Sequence, residues 1–354
     1  MTAGERAAPT IDEALVRLAM MRVRDRRRAR LVTGGLVVTI AVLGMLALGL
    51  GAIALSPAEV VAALLGLESV AGADVIVRVV RLPRLVLALL VGAALGLAGA
   101  LLQSVVRNPL ASPDIVGIAQ GASAAGVLVI VAGGSGTAVT GAAIVGALLA
   151  AALAFTLGGR GASGARFVVV GVALAFLANG VLGYALTRAA LVDAGSAYFW
   201  LVGSVGSPSW GDIALVGIVL AVCVVLLASG RRLLAVQAFD DTTVRALGGH
   251  PVAVRVGAIV ATSALTAVAV GAAGPIAFVA FASGPIARGM RRGGPALSTA
   301  ALVGAASVLG ADLIAQHLIP STFQPPVGLI TGALGALVLL VLLVRGDRRP
   351  EARP

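Results

Sequence analysis

Residues 84–106 read RLVLALLVGAALGLAGALLQSVV, and from Leu85 to Leu102 no side chain in that run is polar. A helix crossing the hydrocarbon of a bilayer needs roughly 20 such residues. A strand of a membrane barrel would alternate apolar and polar positions, and this stretch does not. Its glycines sit beside alanines and leucines, a composition that lets helix backbones approach closely in lipid. Similar runs recur near 31–54, 112–132, 136–158, 166–187, 211–229, 252–272, 275–288, 296–316 and 327–344. The expected fold is therefore an all-α integral membrane protein of about ten transmembrane helices.

Composition supports this reading. The 354 residues are 59% hydrophobic and 12% charged, and mean hydropathy is +1.07. A soluble chain would carry about twice that charged fraction. All 26 basic residues are Arg, and the net charge is +11. With the N-terminus in the cytoplasm, 22 of the 26 Arg fall on the cytoplasmic side; Arg78, Arg81, Arg84 and Arg188 fall outside. That asymmetry puts both termini in the cytoplasm and explains the basic charge without nucleic acid. The cluster Arg22-Val-Arg24-Asp25-Arg26-Arg27-Arg28 reads as a juxtamembrane contact for anionic lipid. The first thirty residues lack the apolar core of a cleavable signal, so the first span is expected to act as an uncleaved anchor. Cys223 is the only cysteine, which excludes a disulfide or thiolate metal site within the chain.

The expected organisation is a basic tail over 1–30, a transmembrane domain over 31–345 and a tail over 346–354. A cytoplasmic loop at 230–251 divides the domain into halves of similar size. Residues 10–22 form a candidate surface helix capped by Thr10. Ser56-Pro57-Ala58-Glu59 opens a short outside helix running to Gly66.

Four stretches differ from ordinary lipid-facing sequence. Arg78, Arg81 and Pro83-Arg84 stand at the outer mouth of the second span, with Pro83 placed as a helix start. They are either Arg that snorkel to lipid phosphates or a docking patch for acidic residues of a partner. Gln103, Arg107-Asn108-Pro109 and Pro113-Asp114 make a tight cytoplasmic turn. Asp240-Asp241-Thr242-Thr243-Val244-Arg245, followed by Leu247-Gly248, reads as a capped helix of about two turns. It is either a solvated loop helix or a lever seated on a cytoplasmic partner. Gly274-Pro275 and Gly284-Pro285 break helices at membrane depth, which is tolerated where backbone faces protein or a water-filled path.

Together these stretches resemble the permease family of ABC importers for ferric siderophores, haem and vitamin B12. The likeness covers nearly all of 35–345 and rests on RLPR, RNPLASPDIVGIAQGAS, AGPIAFVAF and PVG, in that order. It implies the permease of a type II ABC importer in the inner (plasma) membrane. Two permeases would enclose one path, two ATPases holding ATP-Mg would bind below, and a siderophore-binding protein would dock above. By resemblance Arg81 and Arg84 dock an acidic side chain of the binding protein, and Asp241–Gly248 is the helix that couples to the ATPase. Gly284-Pro285 stand where much of the family has Pro-His. Gln316-His317 and Gln324-Pro325-Pro326 replace an Arg and a Glu that many members carry. These departures resemble the second permease of ferric-enterobactin (catecholate) systems, which pairs with a non-identical permease.

Other functions fit less well. Without Lys, the chain cannot form a phosphate-binding P-loop, so no nucleotide cofactor is expected on it. An ion-coupled transporter needs ionisable groups deep in its spans, and Asp312 is the acidic candidate. His250 and His317 fall on opposite sides of the membrane, leaving no metal or catalytic pair. His317, beside Gln316, reads as a polar contact at the outer mouth. Gln103, Asn179, Thr262, Ser263 and Thr266 are polar residues within spans; each either lines a path or satisfies a neighbouring helix.

Overall fold

The computed structural model of the chain describes residues 11–67, 72–158, 164–230, 241–246, 248–291, 296–318 and 325–346. Thr10, Asp240, Leu247, Gln324 and most of the C-terminal tail lie outside them.

Every regular element among the described residues is helical. Helix α1 spans Ile11–Gly49 and α2 Pro57–Leu65. The short α3 (Ala73–Val75) continues through a π-turn (Ile76–Arg81) into α4 (Leu82–Val106). Then follow α5 (Ile118–Val131), α6 (Thr137–Gly158), α7 (Gly164–Arg188), α8 (Leu191–Val202) and α9 (Trp210–Ser229). The last five are α10 (Asp241–Ala246), α11 (Pro251–Ala273), α12 (Val279–Arg291), α13 (Leu297–His317) and α14 (Val327–Gly346). Seven helices among the described residues are long and apolar enough to cross a bilayer. The other expected spans correspond to α5, α12 and α14.

Three elements differ from expectation. Residues 10–22 form no separate surface helix, because α1 runs unbroken for 39 residues. At 1.5 Å per residue that is about 58 Å, nearly twice the bilayer hydrocarbon. Arg28 Nε donates to Met290 O at the end of α12 (2.7 Å). One member of the basic cluster thus caps a helix of this chain. Next, α5 begins only at Ile118, since residues 113–117 turn before the helix starts. Finally, no span is expected over 191–202, yet α8 forms there. It follows α7 almost directly and is too short to cross.

Lipid is as apolar as leucine, so helices in it are held by close packing and polar contacts rather than by burial from water. Helix α4 packs against α13, α12, α11 and α9, and its glycines set the approach. A Cβ at Gly92 or Gly96 would overlap the α13 backbone at Gly304 or Ala300, and one at Gly99 would overlap Ala280 O of α12. The motif glycines do the same where α8 ends. Gly203 accepts from Gly328 N (3.1 Å), and Ser204 N donates to Ala273 O (2.7 Å). A Cβ at Gly203, Gly274 or Gly328 would strike a facing carbonyl. The AGP and PVG stretches therefore meet at one junction against α8.

Gly99→Leu forces α4 and α12 apart, and overpacking of this kind costs about 1–3 kcal/mol. Its thermal midpoint in detergent falls, whereas Gly289→Ala, where an added Cβ meets nothing within 4 Å, leaves the midpoint unchanged.

Candidate functional site

The outer mouth is organised by Pro83. Proline donates no N–H, and its ring crowds the carbonyl four residues earlier. The chain widens by one π-turn to accommodate it, with Leu82 N–H reaching Val77 O. Pro83 is therefore no helix start; a rod of 34 residues, Ala73–Val106, passes through it.

The three Arg on this rod reach three different segments. Arg78 donates to Ala63 O (Nε, 2.6 Å) and Leu64 O (Nη2, 3.0 Å), closing the end of α2. The start of α2 is fixed by a Ser56–Glu59 capping box, whose backbone and hydroxyl donors hold the Glu59 carboxyl below its usual range. Arg81 donates to Leu48 O and Ile53 O, both at 2.6 Å, and ties down the end of α1. Arg84 grips Asp312 of α13 through two bonds, Nε–Oδ2 at 3.1 Å and Nη2–Oδ1 at 2.8 Å. Gln316, one turn beyond Asp312, adds Nε2–Oδ2 at 2.6 Å. The Asp312 side chain is 4% exposed and that of Arg84 25%.

Arg81, Arg84, Asp312, Gln316 and His317 all line one concavity of about 840 Å³. The structure thus gathers four of the five expected docking residues; Arg78 stands outside the concavity. Electrostatically the four differ. Arg84 is neutralised by Asp312, whereas Arg81 is bound only to neutral carbonyls among the described residues. Asp312 is correspondingly a partner for Arg84 rather than an isolated acid in a span.

Of the polar span residues, Asn179 is exposed on α7, while Gln103, Thr262, Ser263 and Thr266 are enclosed by the chain's own helices. Thr262 Oγ1 donates to Ala98 O (3.4 Å) and Ser263 Oγ to Ile259 O (2.7 Å). Gln103 answers the helix break in α12. Pro285 leaves the carbonyl of Phe281, four residues earlier, without its helical donor, and Gln103 Nε2 supplies one at 3.0 Å. Arg288 Nη2 then donates to Gln103 Oε1 (3.0 Å), and a Cβ at Gly284 would collide with that oxygen. Gly284, Pro285 and Arg288 thus form one fitted unit with α4.

On the cytoplasmic side Arg107 ends α4 in the left-handed conformation (φ 55°). Asn108 Oδ1 accepts from Leu110 N (2.9 Å), forming the side-chain turn that precedes the Pro113 segment. Helix α10 comprises the six described residues Asp241–Ala246, nearly two turns. Gly248 closes it (φ 76°), and Gly248 N and Gly249 N donate to Arg245 O and Val244 O, both at 2.9 Å. Val244 is buried while Thr242 and Arg245 are exposed. The helix therefore has one anchored face and one open face.

Two features escaped the sequence reading. A second outer cleft of about 420 Å³ contains Thr140, Asp193, Ser196, Trp200 and Asp212, with α8 along one side of it. The other feature is the surroundings of Asp114.

A family model described as the FecCD transport family matches residues 39–345. The ferric enterobactin transport system permease protein of Escherichia coli (strain K12) is 36% identical over 317 residues, covering 87% of this chain and 94% of the relative. The achromobactin transport system permease protein of Dickeya dadantii (strain 3937) is 38% identical over 310 residues, covering 84% and 86%. A solved metal-chelate type ABC transporter in an inward-facing conformation superposes with a TM-score of 0.80 at 26% identity, covering 89% of this chain and 99% of that one. The chain belongs to the FecCD transport family.

Asp312→Asn leaves the Arg84 charge half-buried without its carboxylate. Breaking a fully buried pair costs about 3–5 kcal/mol, and the exposure of Arg84 reduces this to about 1–3 kcal/mol. The thermal midpoint drops, and the exchange Arg84→Asp with Asp312→Arg recovers part of the loss. Gln103→Leu strands the Phe281 carbonyl and costs about 1–3 kcal/mol, read in the same melting experiment.

Proposed function

We propose that this FecCD-family chain is the transmembrane permease subunit of an ABC importer that carries a ferric siderophore across the inner membrane into the cytoplasm. The energy comes from ATP-Mg hydrolysed on two separate ATPase subunits, and this chain performs no catalysis. Its pore partner is a second, non-identical permease. The relatives named for ferric enterobactin and achromobactin transport support a siderophore as cargo. Haem and cobalamin are the alternative cargoes within the family.

The observation that carries this reading is the rigid, positively charged outer mouth. Its guanidinium groups are held by the ends of α1 and α2 and by α13, so they present fixed donors to a docking surface. An extracytoplasmic binding protein brings an acidic side chain there, and charge-assisted bonds secure it. Arg81 is the principal anchor because among the described residues no carboxylate neutralises it. Arg84 orients the mouth through Asp312, Gln316 and His317 line its rim, and Arg78 sets its outer edge.

At the opposite end α10 is the contact with the ATPase. Thr242 and Arg245 face outward, Asp241 opens the helix and Gly248 closes it. Motion of the ATPases reaches α11 through this short lever, since Pro251 follows within a few residues. Asn179, on the exposed face of α7, is the span residue best suited to line the shared path. The few aromatic residues, 3% of the chain, suit a conduit that passes its cargo on without holding it.

Arg81→Glu weakens binding-protein affinity by at least tenfold in a nanodisc pull-down while membrane insertion is unchanged; undiminished affinity contradicts the docking role. Replacing Asp241 and Arg245 by Ala leaves ATP hydrolysis in the assembled importer but removes its stimulation by loaded binding protein. Normal stimulation rules out α10 as the lever.

A further inference from the structure

The two motif stretches not used by docking or coupling converge on a cavity of about 400 Å³ that contains Ser112, Asp114, Gln120, Ser123, Phe278 and Phe281. Both segments that build it are irregular. Residues 107–117 join α4 to α5, and residues 274–278 join α11 to α12. Irregular backbone between apolar helices persists where it lines a cavity or is buried in protein. Phe278 adopts φ 67°, a left-handed conformation that costs a bulky residue energy and points to a function for the site. Its side chain is seated where Gly335 leaves room, and its ring meets Phe281 edge to face (6.2 Å, 89°).

Asp114 brings only acceptors to this cavity. Gln120 Oε1 is buried and accepts no hydrogen bond. The Ser112 hydroxyl receives Ile115 N (3.3 Å), and Ser123 Oγ spends its proton on Ala119 O (2.8 Å), so each keeps lone pairs for another partner. Among the described residues no Arg or His lines the cavity, and the chain has no Lys. A carboxylate among apolar helices without a counter-charge is costly, and such groups mark ion or substrate sites. Water would supply donors but no charge.

We propose that this cavity binds a monovalent inorganic cation through the Asp114 carboxylate and the Gln120 carbonyl oxygen. The Ser112 and Ser123 hydroxyls complete the oxygen set. One carboxylate balances one positive charge. Among the described residues no group of three His, Cys, Asp or Glu could hold a metal ion, and an all-oxygen set does not suit a soft transition metal. The site lies in the wall formed by α5, α8, α12 and α14, apart from the outer mouth and from α10. It requires neither the docking assignment nor the identity of the cargo.

The test uses the full-length chain in nanodiscs of neutral lipid, melted in sodium, potassium or choline chloride at equal ionic strength. A cation at about 100 times its dissociation constant raises the midpoint by several degrees. Sodium or potassium gives that rise in the wild type. Asp114→Asn abolishes it and Gln120→Met reduces it, while Asp193→Asn in the outer cleft retains it. In choline Asp114→Asn melts no lower than the wild type, because it removes an uncompensated charge and keeps the shape. Equal midpoints in all three salts overturn the proposal, as does an undiminished rise in Asp114→Asn. A rise in choline on acidification, with no effect of sodium or potassium, assigns the carboxyl a proton and likewise overturns it.

Discussion

The structure depends on the closeness with which α4 meets its neighbours. In lipid there is little to gain from bringing one apolar helix against another, so dispersion contacts between backbones and a few polar bonds must hold the bundle. Gly92, Gly96 and Gly99 let α13 and α12 come within backbone contact of α4. Once these helices are fixed, so are the two ends of the rod that contains α4. Its outer end brings Arg81 and Arg84 beside α1 and α13, and its inner end leads into the Arg107–Gly117 turn.

The same constraint governs the breaks. A chain wholly made of regular helices would have nothing but side chains to offer a path, yet each break exposes backbone groups that lipid cannot satisfy. Three solutions appear. The π-turn before Pro83 rebuilds the hydrogen-bond ladder around a missing donor. The Gln103 amide replaces the donor lost at Pro285. At the end of α8, Gly328 N donates to Gly203 O and Ser204 N to Ala273 O, backbone directly to backbone. The last two bring together residues far apart in the chain.

Much of the architecture was legible in the sequence. Span length and the absence of alternation identify helices that cross a membrane, and Ser56–Glu59 with Gly66 marks both ends of α2. The RLPR stretch stood out as a group of Arg on the wrong side for topology. What it binds was not legible, because Leu48, Ile53, Ala63 and Asp312 are its partners only after folding. Gln103 looked like any polar span residue; its role depends on Pro285, 182 positions later. Helix α8 was missed because its twelve residues, Asp193 and Ser196 among them, are too few for a span. Asp114 read as a turn residue, since only the tertiary fold brings Phe278 and Gln120 beside it. Local signals are written in the sequence, whereas the charge balance of a site is decided by distant neighbours.

The most direct test of the account is uptake of a radiolabelled ferric catecholate by iron-limited cells with and without this chain, with haem and cobalamin measured alongside. Ferric siderophore uptake is lost without the chain and restored by the wild type, while haem and cobalamin uptake is unaffected. Undiminished siderophore uptake together with loss of haem or cobalamin uptake would contradict the assignment of cargo. Restoration of siderophore uptake in cells whose partner ATPase cannot hydrolyse ATP would contradict the division of labour on which the mechanism rests.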